Sequence, residues 1–145
     1  MKLNSFILSL LLLVLSGNIS AQSPYTIYPV PQEYTLTSGK ASFTHSVDVV
    51  AEAGIDRYTL DRVEQILQEQ GLEVVFTQKP QSGNSTVYLG VNGSCGEADK
   101  RASKLSLSRD LFALPKYDRH IVSLTSSRGK AQVVVLGENT DAVFY

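Results

Sequence analysis

Between residues 56 and 70 the apolar positions Leu60, Val63 and Leu67 recur at i, i+3 and i+7 with Ile66 beside them, while Arg62, Glu64, Gln65, Gln68 and Glu69 take the other side. This spacing predicts an amphipathic helix. Asp56 is placed to cap its start, and Gly71 stands where a left-handed residue closes a helix. Around it the pattern changes to short runs of β-branched and aromatic residues, which predict strands over 46–51, 72–77, 86–91, 120–125 and 131–136. The last two flank a short connector at 126–130 that contains Gly129, so they predict a β-hairpin. A charged segment over 97–107 predicts a short helix, and Pro115 and Asp118 mark a loop. Further forward, Tyr25, Thr26, Ile27 and Tyr28 read as a strand stopped by Pro29 and Pro31. Residues 32–37 alternate Tyr34 and Leu36 with polar neighbours, and a turn at 38–40 predicts a small hairpin with 41–44. The expected architecture is α+β: one mainly antiparallel sheet of four or more strands with helices packed on one face.

Both ends carry their own signals. Lys2 followed by the apolar stretch 6–15, and then small residues up to Ser20 and Ala21, predicts a cleaved secretory leader over 1–21 and a mature start near Gln22. The apolar run falls short of the roughly 20 residues a spanning helix requires, so a membrane anchor is the weaker reading. No cysteine lies near the cut to carry a lipoprotein anchor. The expected location is therefore outside the bacterial cytoplasm, periplasmic or extracellular. At the other end, Asn139, Thr140 and Asp141 read as a helix cap with an acidic first turn, followed by Ala142, Val143, Phe144 and Tyr145. One turn of helix is not stable alone, and these bulky side chains are expected to have little to pack against. The expected domains are thus an α/β unit over 22–137 and, over 138–145, the start of a helix belonging to a longer protein.

Composition narrows the chemistry. Hydrophobic residues make up 43% of the sequence and the net charge is −1, which gives no electrostatic argument for nucleic acid or an anionic membrane as partner. The single cysteine, Cys95, excludes an internal disulfide, and with no histidine near it in sequence it reads as an incidental thiol rather than a nucleophile. His45 and His120 are far apart and in no metal-ligand spacing. Gly90, Gly93 and Gly96 follow a strand but lack the G-x-G-x-x-G pattern and a following Lys-Ser/Thr, so a plain turn is the expected structure. Glu97 and Asp99 ahead of Lys100, Arg101 and Lys104 follow the polarity of a helix dipole and read as a solvated face. Asn84-Ser85-Thr86 and Asn92-Gly93-Ser94 fit the glycosylation pattern, which carries little meaning in a bacterial exporter. No catalytic, cofactor-binding or metal residue is assigned, and no cofactor is expected. Were the chain active by itself, Asp48, Glu97, Asp99 and Asp118 would be the acids to search.

Three motifs carry a resemblance: Tyr28-Pro29-Val30-Pro31-Gln32, Tyr117-Asp118-Arg119-His120-Ile121-Val122, and the closing Gly137-Glu138-Asn139-Thr140-Asp141-Ala142-Val143-Phe144-Tyr145. In this order and spacing the chain resembles the N-terminal domain of bacterial β-N-acetylglucosaminidases of glycoside hydrolase family 84, and the related domain of family 20 β-hexosaminidases. The resemblance implies a small α/β unit preceding a (β/α)₈ barrel, which would be its partner. It also implies substrate-assisted hydrolysis of N-acetylglucosamine-containing glycans by a pair of neighbouring carboxylates on that barrel. The pair is Asp-Asp in family 84 and Asp-Glu in family 20, and this sequence contains neither dipeptide. The expected function is a non-catalytic scaffold domain, inactive alone. The alternative is a stand-alone carbohydrate-binding or interaction module, against which the absence of Trp counts.

Overall fold

The computed structural model describes residue 35, residues 39–113 and residues 119–144. The chain divides into two units, Met1–Ser38 and Gly39–Tyr145, and apart from Thr35 all described residues belong to the second. The leader, the strand at 25–28, most of the 32–37 arm, the loop containing Pro115 and Asp118, and Tyr145 lie outside the described residues.

Five strands form one mixed sheet: β1 (Ser46–Ala51), β2 (Glu73–Phe76), β3 (Ser85–Val91), β4 (His120–Ser127) and β5 (Lys130–Gly137), in the spatial order β2-β1-β3-β5-β4. The expected α+β class holds, but the mainly antiparallel pairing does not. β1 runs parallel to both β2 and β3, β3 runs parallel to β5, and only the β4–β5 hairpin is antiparallel. The physical reason lies in helix α1 (Arg57–Glu69), which carries the chain from the end of β1 back to the start of β2 and so makes a βαβ crossover. The burial of every residue of β3 from Ser85 to Gly90 tells the same story, since strands covered on both faces are characteristic of parallel sheets.

The helices also fall on opposite faces rather than one. Leu60, Val63 and Leu67 of α1 pack with Val47, Val49, Val87 and Leu89. Ala98 and Ala102 of α2 (Glu97–Lys104) pack with Val50, Tyr88, Val134 and Leu136, the alternate positions of the same strands. From β1 the chain steps outward to β2 through α1, whereas after β3 and α2 it enters the edge strand β4 at the carboxyl end of the sheet, and β4, antiparallel, returns it to the start of β5.

Local sequence explains the boundaries. The Asp56 carboxylate accepts from the backbone N–H (3.0 Å) and hydroxyl (2.6 Å) of Thr59, and these bonds hold its pKa below the ordinary value. At the other end Leu72 N–H donates to Leu67 C=O and Gly71 N–H to Gln68 C=O, with Gly71 at φ 75°, a Schellman closure. Ile66, placed beside the apolar stripe, is exposed. Helix α2 closes the same way but with Ser106 at φ 53° and Leu107 N–H donating to Ala102 C=O, so it stops at Lys104 rather than reaching 107. The β4–β5 turn has positive φ at both Arg128 (53°) and Gly129 (80°), the geometry of a type I′ hairpin. Of the small hairpin expected before β1, Ser42 instead forms a parallel bridge with Lys130 of β5.

After β5 the backbone turns sharply at Gly137 into a single 3₁₀ turn, Asp141–Val143, whose Ala142 N–H is capped by Asn139 Oδ1 at 2.8 Å. Val143 is buried in the α1-side core, contrary to the expectation that it has little to pack against, whereas Phe144 remains exposed; Ala142 is fully buried. Phe144 stands 5.3 Å, ring to ring, from Tyr58 at the start of α1.

Candidate functional site

The carboxyl ends of β1, β3 and β5 meet the amino end of α2, the region where open sheets of this topology most often place a ligand site. Glu52, one residue beyond β1, turns its side chain toward α2. Its Oε2 accepts from Val91 N–H at 3.2 Å, and its Oε1 is buried with no hydrogen-bond partner among the described residues. A Cβ at either Gly90 or Gly96 would overlap this carboxylate, and at Gly90 it would also stand 2.6 Å from Ala98 Cβ. The glycine spacing that resembles a phosphate loop is thus the room needed to enclose Glu52 and bring α2 against β3. Only Gly93, at φ 78°, serves the turn itself.

Asp99 ties that turn together. Its Oδ1 accepts from Gly93 N–H (3.2 Å) and Arg109 Nη1 (2.5 Å), and its Oδ2 accepts from Cys95 N–H (3.1 Å). Arg109 also donates to Asn92 Oδ1 at 2.8 Å and Asp99 C=O at 3.0 Å. Burial alone would raise the Asp99 pKa, but the donors Gly93, Arg109 and Cys95 outweigh it and hold the carboxyl below its ordinary range. Asp99 is therefore buried, not on the solvated face expected of it, whereas Glu97 does lie exposed and pairs with Lys100 at 3.1 Å. Cys95 is exposed.

Two of the motifs behind the family resemblance meet at the β4–β5 end. Arg119, almost fully buried, grips Glu138 through two nitrogens, Nε donating to Oε2 at 3.0 Å and Nη2 to Oε1, while Nη1 donates to Leu111 C=O at 2.9 Å. Glu138 N–H in turn donates to Arg119 C=O. The Arg119 hydrogen bond holds the Glu138 carboxyl below its ordinary pKa.

At the opposite end of the sheet Asp48 is wholly buried, accepting from Gln81 N–H at 2.5 Å and Asn84 Nδ2 at 2.9 Å, so it anchors the β2–β3 loop. Because α2 is short, the amino end of its face remains open as a cleft of about 240 Å³ whose lining includes Gln81, Tyr88, Arg101, Arg128, Lys130 and Gln132. Arg101 lies over the Tyr88 ring at 5.1 Å and donates to its hydroxyl at 3.0 Å, and Tyr88 is only 2% exposed. His45 is exposed. His120 is half-buried, with a buried Nδ1 that has no partner among the described residues.

The acids considered in the sequence are thus not assembled. Asp48 and Asp99 belong to separate anchors, Glu97 faces solvent, and Asp118 lies outside the described residues. Among the described residues no three of His, Cys, Asp and Glu converge as a metal-binding group, and no helix is long and apolar enough to cross a membrane. Sequence reasoning missed Glu52 and Arg109; the former leaves a trace in the two glycines six apart, while the latter leaves none.

No protein-family model and no curated protein matches the chain. Among solved structures, CpGH84D, a GH84 enzyme, is similar over 86% of this chain, with a TM-score of 0.74 and 29% sequence identity. The chain spans 20% of the length of that protein. The likeness supports a glycoside hydrolase-related domain of the GH84 kind.

Proposed function

We propose that this chain is the N-terminal, non-catalytic scaffold domain of an exported β-N-acetylhexosaminidase acting on N-acetylglucosamine-containing glycans. The observation that carries the reading is the likeness to one fifth of a GH84 enzyme. The described acids support it, since Asp48, Asp99 and Glu138 are each engaged in holding loops or strand ends together. In this reading residues 1–21 are a cleaved leader, and a (β/α)₈ barrel elsewhere in the longer polypeptide supplies the neighbouring carboxylates. There the substrate's 2-acetamido group acts as nucleophile, one carboxylate orienting it and the other protonating the leaving oxygen. Among the described residues the cleft beside Arg101 offers no aromatic platform for a sugar ring, because Tyr88 is covered, which counts against an independent sugar-binding module.

The test is hydrolysis of a chromogenic N-acetylglucosaminide by this chain and by the product of its uninterrupted coding sequence. The chain alone is expected to leave the substrate intact and the longer product to turn it over. Turnover by the purified chain, or a coding sequence that stops at Tyr145, contradicts the proposal.

A further inference from the structure

We propose that the cleft on the α2 side of the sheet is a binding site for a tetrahedral oxyanion, a phosphate or sulfate group. The inference does not depend on the enzymatic reading of the longer protein.

The sheet face beneath the cleft changes character along its strands. Toward the carboxyl ends it carries Val50, Tyr88 and Val134, packed with α2. One step toward the amino ends, the same face carries the cross-strand row Asp48, Thr86 and Gln132. Asp48 is accounted for, since its two oxygens accept from Gln81 N–H and Asn84 Nδ2. Thr86 and Gln132 are not. They are only 6% and 9% exposed, yet neither side chain has a hydrogen-bond partner among the described residues. Both line the cleft, and neither is sealed from it, so their polar groups open into it. Side-chain polar groups this nearly buried are as a rule partnered, and here the partner is one that the cleft admits.

The walls decide its charge. Arg101 of α2, Arg128 of the β4–β5 turn and Lys130 of β5 line the cleft, and no Asp or Glu does so among the described residues. None of the three is paired with a carboxylate there, because the ion pairs are made by Arg57, Lys100, Arg109 and Arg119. Arg101 uses one donor on the Tyr88 hydroxyl and Lys130 uses one on Ser82 C=O (2.5 Å), so both keep others for a ligand. The Tyr88 hydroxyl accepts from Arg101 and retains its own proton to give. Even against the buried charge of Asp48, three cations leave the cleft positive.

The arrangement of the donors decides the shape. They stand on three sides, from α2, from the β4–β5 turn and from the strand floor. A planar carboxylate presents two oxygens, whereas a phosphate or sulfate group presents oxygens in several directions and is a favoured partner of arginine. The cleft, at about 240 Å³, falls below the roughly 300–1,000 Å³ of pockets that enclose a drug-sized ligand. It therefore takes an ionic group, free or at the end of an ester, and not a whole ligand.

Titration of the isotope-labelled full chain, followed by amide chemical shifts at constant ionic strength, tests the site. The probes are inorganic phosphate, inorganic sulfate and N-acetylglucosamine 6-phosphate, with acetate and N-acetylglucosamine as controls. Phosphate or sulfate is expected to give saturable shifts over 80–86 and 127–132, and both controls to bind at least tenfold more weakly. Tighter binding of the sugar ester than of free phosphate assigns the site to an esterified group, and the reverse order assigns it to the ion. Gln132→Leu removes a floor partner without changing charge, and Arg128→Asn removes a wall cation at an exposed position whose left-handed backbone (φ 53°) asparagine tolerates. Each is expected to weaken binding about tenfold or more, while Arg62→Gln on α1 leaves it unchanged. If Gln132→Leu loses the dispersed amide spectrum of the fold, Arg128→Asn carries the test. Absence of saturable binding overturns the proposal, as does acetate binding as tightly as phosphate. Unchanged affinity in folded Gln132→Leu or in Arg128→Asn overturns it too, reducing the effect to diffuse attraction by surface charge.

Discussion

The central strands and the β4–β5 hairpin belong to one sheet but differ in how they are closed. β1 and β3 are covered on both faces, with Val49 and Leu89 under α1 and Val50 and Tyr88 under α2. In the hairpin β5 is buried on the α2 side at Val134 and Leu136 and half-covered on the α1 side at Val133 and Val135, while Val122 and Leu124 of the edge strand β4 meet solvent. The centre therefore holds the fold, and the hairpin presents a surface. The polar anchors divide in the same way. Asp48 and Asp99 tie loops to the centre, and the Arg119–Glu138 clamp fixes the far end of the hairpin to the turn that leaves it.

Truncations on the two sides break or sharpen this contrast. Leu89→Ala, at 1% exposure in the middle of β3, is expected to cost about 2–5 kcal/mol, the sum of lost transfer energy and a cavity the surrounding strands cannot close. Leu124→Ala in the same chain is expected to change stability by no more than about 0.5 kcal/mol, because its side chain is already in water. Urea unfolding of both variants, at matched protein concentration, measures the difference. Comparable losses would mean that the hairpin face is as closed as the centre.

Acid acts more gently on the same contrast. Asp99 and Glu138 have folded-state pKa values below those of the unfolded chain, so between the two values the native state binds fewer protons than the unfolded one. Their stabilisation is present in full above the ordinary carboxylate range of about 4 to 4.5, and it is lost as the pH falls through the lowered values. Asp99→Asn is expected to flatten the decline of stability below about pH 4.5 and to leave the chain less stable at neutral pH, where Arg109 loses its counter-charge. An unchanged slope in pH-dependent urea unfolding would show that the Asp99 anchor contributes nothing to acid sensitivity.

Much of this was legible locally. Asp56 and Gly71 bracket α1 within a residue of the predicted limits, and Gly129 marks a hairpin turn whose strands extend by two residues on one side and one on the other. Helix α2 was overextended because Ser106, an unremarkable residue in sequence, takes the left-handed position that glycine usually announces. Pairing was not legible from periodicity, which says what faces a core but not which strand lies alongside. The topology was nonetheless implied by a helix sitting between β1 and β2, since a connection of that length returns the chain to run parallel. The site was hardest to see. Arg109 reaches Asp99 from beyond the end of α2, and Glu52 shows itself only through the space that Gly90 and Gly96 leave for it.

Thermal unfolding of the full-length protein, with and without residues 22–144, tests the scaffold role most directly, with the midpoint of the catalytic part as readout. On the proposed reading, removing this domain is expected to lower that midpoint while the proposed barrel keeps its paired carboxylates. An unchanged midpoint, with hydrolysis at the full rate, would contradict the claim that this domain supports the enzyme it precedes.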